Sequence, residues 1–344
     1  MIASVRFSAG PPFAGGLEAH SWHLAAGLRA RGHEVTLFGP EAPPGCRARP
    51  VPAPWRPSAA ARQDLSMLPD QVVADHHGYL QVVRDLARGD DYDVIHNNSA
   101  HYLPLASAPI LRAPLVSTLH TPPTPWLESA LALGGSEVGH LVSVSRSNAA
   151  RWDVAQPVEV IPNGVDCRTW RPRGGPRSGA VWTGRIVAEK APHLAIAAAR
   201  RCGTTIDLAG PVHDPVYFDE AIRPWLGPAV RYHGHLGQEA CAELVASAEV
   251  SLVTPTWPEP FGLVVAESLA CGTPVAGFAA GALPELVDDA VGRLVREGDV
   301  AALARAVPEA AALDRGTCRR IAEARFGLDR MVAAYDRTLA AQAS

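Results

Sequence analysis

Short apolar runs alternate with amphipathic segments from the start of the chain. An apolar run over residues 1–8 predicts a strand, and the glycines and prolines of residues 10–16 predict a turn after it. Apolar residues then recur at helical spacing over residues 17–31, where Leu17, Leu24 and Leu28 share one side. A second strand is predicted over residues 35–38. This order of strand, glycine loop, helix and strand is typical of a doubly wound α/β fold.

The same alternation continues along the chain and predicts a second domain of the same kind. The first half continues with a helix at 71–88 and buried strands at 93–96, 114–119 and 141–144. Residues 166–179 hold two prolines and three glycines and are interpreted as a linker. The second half then predicts strands at 180–183, 204–208, 229–232, 250–253 and 274–276 and helices at 191–201, 215–226, 238–248 and 261–271. The pattern therefore predicts two Rossmann-like domains with parallel sheets.

Length and composition agree with two globular domains. A chain of 344 residues exceeds the usual size of one core, at about 150 residues per domain. The formal net charge of -4 gives no reason to expect nucleic acid or anionic lipid as a partner. The six cysteines lack metal-ligand spacing, and neither a charged leader segment nor an apolar run of about 20 residues is present. These features predict a soluble protein of the reducing cytoplasm.

Two glutamates lie eight residues apart around the helix predicted at 261–271. In a continuous helix this spacing sets Glu259 and Glu267 on nearly the same side, about 12 Å apart along the axis, so that they grip both ends of an elongated ligand. The amides around Phe261, Gly262 and Leu263 are the unpaired donors of the helix start and suit a phosphate. The alternative is an ordinary amphipathic helix with two solvated glutamates.

The only lysine of the chain lies in a turn after the first strand of the second half. Lys190 follows Arg185 by five residues, in the sequence GRIVAEK. Arginine offers a planar fork of donors and lysine a compact charge, so the two cations suit a diphosphate. A solvated surface pair is the alternative interpretation.

In the first half, candidate residues follow strands and begin a helix. Gly15 and Gly16 either bring backbone amides to a ligand or only form the turn before the helix. His120 follows the strand at 114–119, at the carboxyl edge where ligands bind in open parallel sheets. It is interpreted either as a substrate contact or as a hydrogen-bonded structural residue.

No metal site is predicted. Asp91 and Asp93 resemble the acidic D-x-D pair that binds a metal in some sugar transferases. However, Asp93 starts the predicted strand instead of following it, and nothing nearby completes a metal shell.

The motifs together resemble a known family. GRIVAEK at 184–190, EPFGLVVAE at 259–267 and ACGTPV at 270–275 look like the C-terminal domain of the retaining glycosyltransferases of family 4. The glycine loop, HT at 120–121, SVSRS at 143–147 and IPNGVD at 161–166 match further landmarks of that family in order. The resemblance implies the GT-B architecture, in which two Rossmann-like domains face each other across a cleft. It implies an acceptor-side domain at 1–166, a nucleotide-sugar domain at 167–325 and a closing helix at 326–344 that packs back on the first domain.

The resemblance also implies which residues bind the nucleotide part of the donor. Glu267 would bind the ribose hydroxyls of a nucleotide sugar, and Arg185 and Lys190 its diphosphate. Leu236 matches the place where the base packs. One departure from the family is Ala191, where a glycine is usual after the lysine.

For the transferred sugar, the resemblance assigns a second group of residues. Glu259 would hold hydroxyls of the sugar, and His120 would approach it from the other domain. Gly16, in the glycine loop, would close on the phosphate or the acceptor. The backbone amides expected to touch sugar and phosphate are those of Phe261, Gly262, Leu263 and Val264.

The function implied is a retaining transfer of a sugar from a nucleoside diphosphate sugar, with UDP expected, to a hydroxyl group. A small soluble metabolite or a saccharide is the expected acceptor. No cofactor, metal, nucleic acid or stable membrane insertion is expected. Two alternatives stay open at this point: a sugar-nucleotide epimerase on the same fold, and a non-catalytic nucleotide-sugar-binding protein.

Overall fold

The computed structural model describes residues 1–5, 7, 10–51, 55–89 and 92–343. The chain divides into two compact α/β units. Unit 1 comprises Met1–Val144, Ala149–Ile161 and Val332–Ser344, and unit 2 comprises Ser145–Asn148 and Pro162–Met331.

Unit 1 is built on short parallel strands. These are β1 Thr36–Phe38, β2 Arg47–Arg49, β3 Ile95–Asn97, β4 Leu115–Leu119, β5 His140–Ser143 and β6 Val158–Val160. Strands β3 to β6 form a parallel sheet in chain order, and β1 pairs with β2 in parallel. Ile2 bridges both Phe38 of β1 and Asn97 of β3.

The predicted first strand at 1–8 is therefore represented by this bridge at Ile2, while residues 6 and 8 lie outside the described part of the chain. Strand β3 begins at Ile95, two residues after Asp93, so the expectation that Asp93 starts the strand was wrong. Asp91 lies outside the described residues.

Helices cover the strands of unit 1 with apolar faces at helical spacing. They are α1 Gly16–Ala30, α2 Asp70–Arg88, α3 Tyr102–Ala106 and α4 Pro125–Gly134, while the short α5 Arg146–Ala149 has its first three residues in unit 2. Helix α2 buries Tyr79, Val82, Val83 and Leu86, which recur at intervals of three and four residues and so form one apolar face.

Unit 2 is a six-stranded, fully parallel sheet. Its strands are β7 Ala180–Thr183, β8 Ile206–Ala209, β9 Val230–Tyr232, β10 Val250–Val253, β11 Val275–Phe278 and β12 Gly292–Val295. They are ordered β12-β11-β10-β7-β8-β9, so the chain reverses direction across the sheet beside β7. Such a switch point, at the carboxyl ends of the strands, is where doubly wound sheets bind ligands.

The helices of unit 2 alternate with these strands. They are α6 Pro192–Arg201, α7 Pro215–Tyr217, α8 Gln238–Ser247, α9 Leu263–Ala270, α10 Leu283–Leu286, α11 Val300–Ala311 and α12 Arg315–Phe326. Near-continuous apolar strands pack against α6 and α11 in one core. Strands that are buried on both faces are expected to be apolar along their whole length.

One predicted helix of unit 2 was wrong. The segment 215–226 forms only the single turn α7, followed by a π-turn over Phe218–Ile222 and a 3₁₀ turn over Arg223–Trp225. Pro224 lacks the backbone N–H that would continue an α-helix, and its ring clashes with the preceding turn.

The last helix, α13 Leu328–Ala343, begins within unit 2 and ends within unit 1. The domain boundaries at 166 and 325 remain a prediction, as does the packing of a closing helix. Within the described ranges, no helix combines the length and the apolar character that crossing a bilayer requires.

Candidate active site

The only lysine and the first glutamate of the motif meet in unit 2. The Nζ atom of Lys190 forms an ion pair with Oε2 of Glu259. The two side chains are 20% and 13% exposed, so the pair is partly shielded from water. The sequence separated these residues by 69 positions; the loops after β7 and β10, which are neighbouring strands, bring them together.

Trp257 completes this group, and sequence reasoning missed it. Its indole Nε1 donates a hydrogen bond of 2.9 Å to the same Oε2 of Glu259. The Nζ atom of Lys190 lies 4.7 Å from the centroid of the Trp257 ring, within the range of a cation–π contact. Both donors converge on Oε2, and no described residue donates to Oε1 of Glu259. The contact of Glu259 with a sugar hydroxyl remains a prediction.

Backbone and threonine hydrogen bonds tie the two loops to each other. The amide of Thr256 donates to the carbonyl of Glu189 at 2.8 Å. The hydroxyl of Thr254 bonds the carbonyl of Ala191 at 3.0 Å and accepts a hydrogen bond from Nε1 of Trp182. The position of Lys190 relative to Glu259 is thus set by several contacts that do not involve either charge.

Ala191 adopts a backbone conformation that favours glycine. It has φ 47° and ψ 50°, the left-handed region, and its side chain is fully buried. An L-residue there costs about 1–2 kcal/mol. The family's usual glycine at this position therefore has a conformational reason, which the sequence alone did not reveal.

Gly281 packs directly against the backbone of Glu259. The residue has φ 56°, and a Cβ atom on it would lie 2.2 Å from the carbonyl oxygen and 2.3 Å from the nitrogen of Glu259. The next amide, that of Ala282, donates to the same carbonyl at 2.8 Å. The loop after β11 thereby positions the glutamate, and only glycine allows this close approach.

The helix that carries the second glutamate starts later than predicted. Helix α9 begins at Leu263, and Gly262 precedes it in the left-handed conformation, with φ 96°. Phe261 is not helical; its ring is buried and packs edge-to-face on Phe326, 6.0 Å between centroids. Since Glu259 lies outside the helix, the 12 Å estimate, which assumed a continuous helix, does not apply.

The start of α9 still offers unpaired donors. The amide of Val265 bonds the carbonyl of Gly262 at 2.9 Å and closes the first turn. The preceding amides, of Leu263 and Val264, have no acceptor within the helix, as at any helix start. Both residues are half-buried, and their contact with sugar and phosphate remains a prediction.

Glu267 lies on α9 in surroundings that disfavour its charge. The residue is half-buried, and desolvation raises the pKa of its carboxyl from the ordinary 4.5 to about 7. No described residue donates a hydrogen bond to this carboxylate. Its neighbours include Cys241 and Cys271. Burial, together with the charge of Glu267, raises the pKa of each thiol to about 12. The chain thus keeps an unpaired acidic group where it costs stability, which is typical of a binding site.

Arg185 follows β7, next to the point where Gly184 and Gly210 pack closely together. Its guanidinium is 38% exposed and lies 3.5 Å from Glu189, so the contact is weak. A Cβ on Gly210, whose φ is 145°, would lie 1.8 Å from the carbonyl oxygen of Gly184. The backbones at the ends of β7 and β8 are therefore in close contact beside Arg185, whose contact with a diphosphate remains a prediction.

Leu236 lies half-buried in the loop between β9 and α8. Its role in packing a base remains a prediction.

In unit 1, His120 belongs to a buried chain of hydrogen bonds. Its Nε2 bonds Oδ1 of Asn98 at 2.9 Å, and Nδ2 of Asn98 bonds Nδ1 of His96 at 3.2 Å. The Nε2 of His96 bonds the hydroxyl of Thr118 at 2.9 Å, and this hydroxyl lies 3.2 Å from that of Tyr335. The amide orientation assigned to Asn98 makes Nε2 of His120 the protonated nitrogen and leaves Nδ1 as an acceptor.

The two histidines in this series of hydrogen bonds, His96 and His120, are both held neutral. Burial lowers the pKa of His96 and of His120 well below the ordinary 6.5, and the charge of His20 acts in the same direction. The ring of His20 lies edge-on to that of His120 with centroids 4.7 Å apart. His120 is therefore a fixed, uncharged hydrogen-bonding group.

Gly15 and Gly16 lie at the start of α1, Gly15 as its N-cap and Gly16 as its first residue. Gly15 has φ -171°, an extended conformation open to any residue, so a positive φ does not explain it. Its contact with a ligand remains a prediction, as does that of Gly16.

The structure thus joins Lys190 directly to Glu259, adds Trp257 and Gly281, and holds Arg185 on the adjacent strand end. A tryptophan two residues before a motif glutamate was visible in the sequence, but its contact with the lysine was not. Among the described residues, no three His, Cys, Asp or Glu side chains are placed to hold a metal ion.

Comparison with known proteins identifies the family. A model described as Glycosyltransferase Family 4 matches residues 14–169, and one described as Glycosyl transferases group 1 matches residues 177–312. The glycogen synthase of Mycobacterium tuberculosis is 30% identical to the chain, over 89% of the chain and 84% of its own length.

Solved structures show the same fold. Sucrose-phosphate synthase of Thermosynechococcus elongatus aligns with a TM-score of 0.79 at 22% identity, over 99% of this chain and 98% of that one. HepE of Anabaena, solved in complex with UDP and glucose, aligns with a TM-score of 0.77 at 21% identity, over 99% of both chains.

Two parallel-sheet α/β units with this likeness have the GT-B fold, which confirms the predicted fold class. The chain belongs to glycosyltransferase family 4, as its motifs predicted.

Proposed function

We propose that this glycosyltransferase transfers a sugar from a UDP-sugar to a hydroxyl of a small metabolite or saccharide, with retention of anomeric configuration and without a metal. The observation that carries the proposal is the group of Lys190, Glu259 and Trp257, which pairs a cation for phosphate with a carboxylate oxygen open to a hydroxyl. The UDP and UDP-glucose bound to HepE support the choice of nucleotide.

The donor's diphosphate has cationic partners in unit 2. When the bond between the anomeric carbon and the β-phosphate oxygen breaks, its electron pair stays on the phosphate. Arg185, Lys190 and the first amides of α9 stabilise that charge. We assign the ribose hydroxyls to the carboxylate of Glu267 and the sugar hydroxyls to Oε1 of Glu259.

The acceptor hydroxyl forms the new bond on the face that the phosphate leaves, and its proton passes to the departing phosphate. No protein nucleophile is required. The ion pair with Glu259 positions Lys190 before the donor binds. Its ammonium group is therefore already in place to contact the diphosphate.

The first experiment is a thermal-shift screen of nucleoside diphosphates and their sugars. UDP and a UDP-sugar should raise Tm more than the guanine and adenine counterparts. Since Lys190 is the only lysine, acetylation mapped by mass spectrometry gives a second measurement, and UDP should protect this residue. Equal protection by all nucleotides would contradict the choice of UDP.

Substitutions test the catalytic assignment. Lys190→Ala and Glu259→Gln should each lower kcat/KM by about 10²–10³ because they remove charge placed at the reacting groups. Glu220→Gln, on an exposed residue of the same unit, is the matched control. Turnover near wild type in either variant would refute the assignment. Transfer that persists in EDTA, with the product configuration determined by NMR, tests the metal-free and retaining parts.

A further inference from the structure

Four aromatic rings form a continuous stack in unit 1. The ring of Trp126 stacks on Tyr102, with centroids 5.2 Å apart and 23° between planes. Tyr102 stacks on His101 at 4.8 Å, and His101 on Tyr79 at 4.3 Å. The stack runs from the buried Tyr79 to Trp126, which is 61% exposed. We refer to these four residues as the aromatic stack.

Three residues of the aromatic stack lie where the loops after β3 and β4 lead into helices α3 and α4, and Tyr79 lies on α2. His101 and Tyr102 follow β3, and Trp126 stands six residues after His120 in the segment that follows β4. Both loops leave the carboxyl ends of neighbouring strands, and Asn98 of the first is bonded to His120 of the second. The stack therefore belongs to the same edge of unit 1 as the predicted sugar contact.

The stack is fixed in place, which suits a binding platform. The hydroxyl of Tyr102 lies 3.1 Å from Nδ1 of His76, and the hydroxyl of Tyr79 accepts a hydrogen bond from the amide of Val5. Rings held on one side by neighbouring rings lose little conformational freedom when a ligand covers the other side.

The charges around the stack disfavour an anionic ligand. Residues 98–106 and 120–126 contain no lysine, arginine, aspartate or glutamate. His101 is neutral, because burial and then the charge of His76 lower its pKa to about 4. The charges that act on the inner ring of Tyr79 are the carboxylates of Asp75 and Glu18. Residues 98–106 and 120–126 therefore offer a phosphate or a carboxylate no lysine or arginine to pair with.

A hydroxyl-bearing ligand would satisfy one further group. The hydroxyl of Thr121, next to His120, is buried and lacks a hydrogen-bond partner within the described parts of the chain. A buried hydroxyl without a partner is costly and calls for a donor or acceptor from water or ligand.

We infer that the aromatic stack is an acceptor subsite for an uncharged sugar ring, whose apolar C–H face lies on Trp126 and whose hydroxyls reach the polar residues beside His120. Aromatic faces bind the C–H faces of sugars, while a few polar groups fix their orientation. This inference rests on the proposed function and narrows its acceptor to glycosides and saccharides without phosphate.

The test measures acceptor binding alone, by saturation-transfer NMR titration of the full chain. The probes are the methyl and p-nitrophenyl α-glucosides and α-mannosides, compared with glucose 1-phosphate. Uncharged glycosides should bind, and Trp126→Ala should raise their Kd about two- to tenfold, the range of one stacking contact. Trp126→Phe should restore part of the affinity.

Trp225→Ala is the matched control, since Trp225 is an exposed tryptophan of unit 2. Its Kd values should equal those of the wild type. Tighter binding of glucose 1-phosphate than of the glycosides, no binding of any glycoside, or an unchanged Kd in Trp126→Ala would each overturn the inference.

The outcome is separable from that of the proposed function. If UDP-sugars raise Tm but the Kd of the glycosides is unchanged in Trp126→Ala, the proposed subsite is wrong and the transferase proposal stands. If no nucleotide sugar raises Tm, the proposed donor is wrong, whatever the glycosides do.

Discussion

Replacing Glu267 by glutamine removes the charge that the fold disfavours most clearly within the candidate site. The pKa of this carboxyl rises from 4.5 to about 7 on folding because α9 places it in desolvated surroundings. Glutamine has nearly the same shape but no charge. The substitution therefore isolates the cost of the carboxylate from the cost of changed packing.

The pKa difference sets the size and the direction of the effect. Between pH 4.5 and about 7 the folded protein holds a proton at Glu267 that the unfolded chain has released. The free energy of unfolding of the wild type therefore falls as pH rises through this window and is level above it. A difference of about 2.5 pH units corresponds to about 3 kcal/mol, and since Glu267 is only half-buried this is an upper bound.

Urea unfolding at pH 5, 6, 7 and 8 without nucleotide measures this difference. Glu267→Gln should be more stable than the wild type at pH 8, by up to about 3 kcal/mol, and the gap should close toward pH 5. Glu243→Gln, an exposed glutamate on the neighbouring helix α8, is the control and should follow the wild type.

Donor binding should change in the opposite sense. Loss of the carboxylate removes the acceptor proposed for the ribose hydroxyls, so UDP should bind about 10- to 100-fold more weakly to Glu267→Gln, as charged hydrogen bonds contribute about 1.5–3 kcal/mol. A gain in stability with a loss of affinity is expected where a binding group is kept at a cost to the fold. A variant that is less stable than the wild type at pH 8 would refute the desolvation argument, and unchanged UDP affinity would refute the ribose assignment.

Two further substitutions test how Glu259 is positioned. Trp257→Phe keeps a ring near Lys190 but removes the N–H bonded to Glu259. In steady-state assays kcat should therefore fall about fivefold to tenfold, equivalent to about 1–1.4 kcal/mol, while the donor KM changes little. An unchanged kcat would contradict this role of Trp257. Gly281→Ala places a Cβ against the Glu259 backbone and should lower both Tm and kcat. The control is Gly298→Ala, at φ 77° with open space around it, which should cost only about 1–2 kcal/mol of stability and leave kcat intact. Equal effects of the two variants would show that the close contact is unimportant.

Much of the fold and part of the site were readable from local pattern. The strand at Ala180–Thr183 agrees with the prediction, α1 is displaced by one residue at both ends, and α2 and α6 differ from theirs only in the first residue, since apolar periodicity reports burial directly. The motif residues also identified the family. The failures were local: the broken segment at 215–226, and the start of α9, where Gly262 in a left-handed conformation separates Glu259 from the helix.

By itself, therefore, the sequence determined the doubly wound architecture, the family and the residue types available for chemistry, because these follow from periodicity and short motifs. Only the tertiary structure decided that Lys190 and Trp257 share one oxygen of Glu259, that Gly281 underlies that glutamate and that Glu267 resists ionisation. The physical reason is that these properties depend on distance and desolvation between strand-end loops far apart in the chain. The order of strands in the sheet creates those distances, and no local pattern of side chains encodes them.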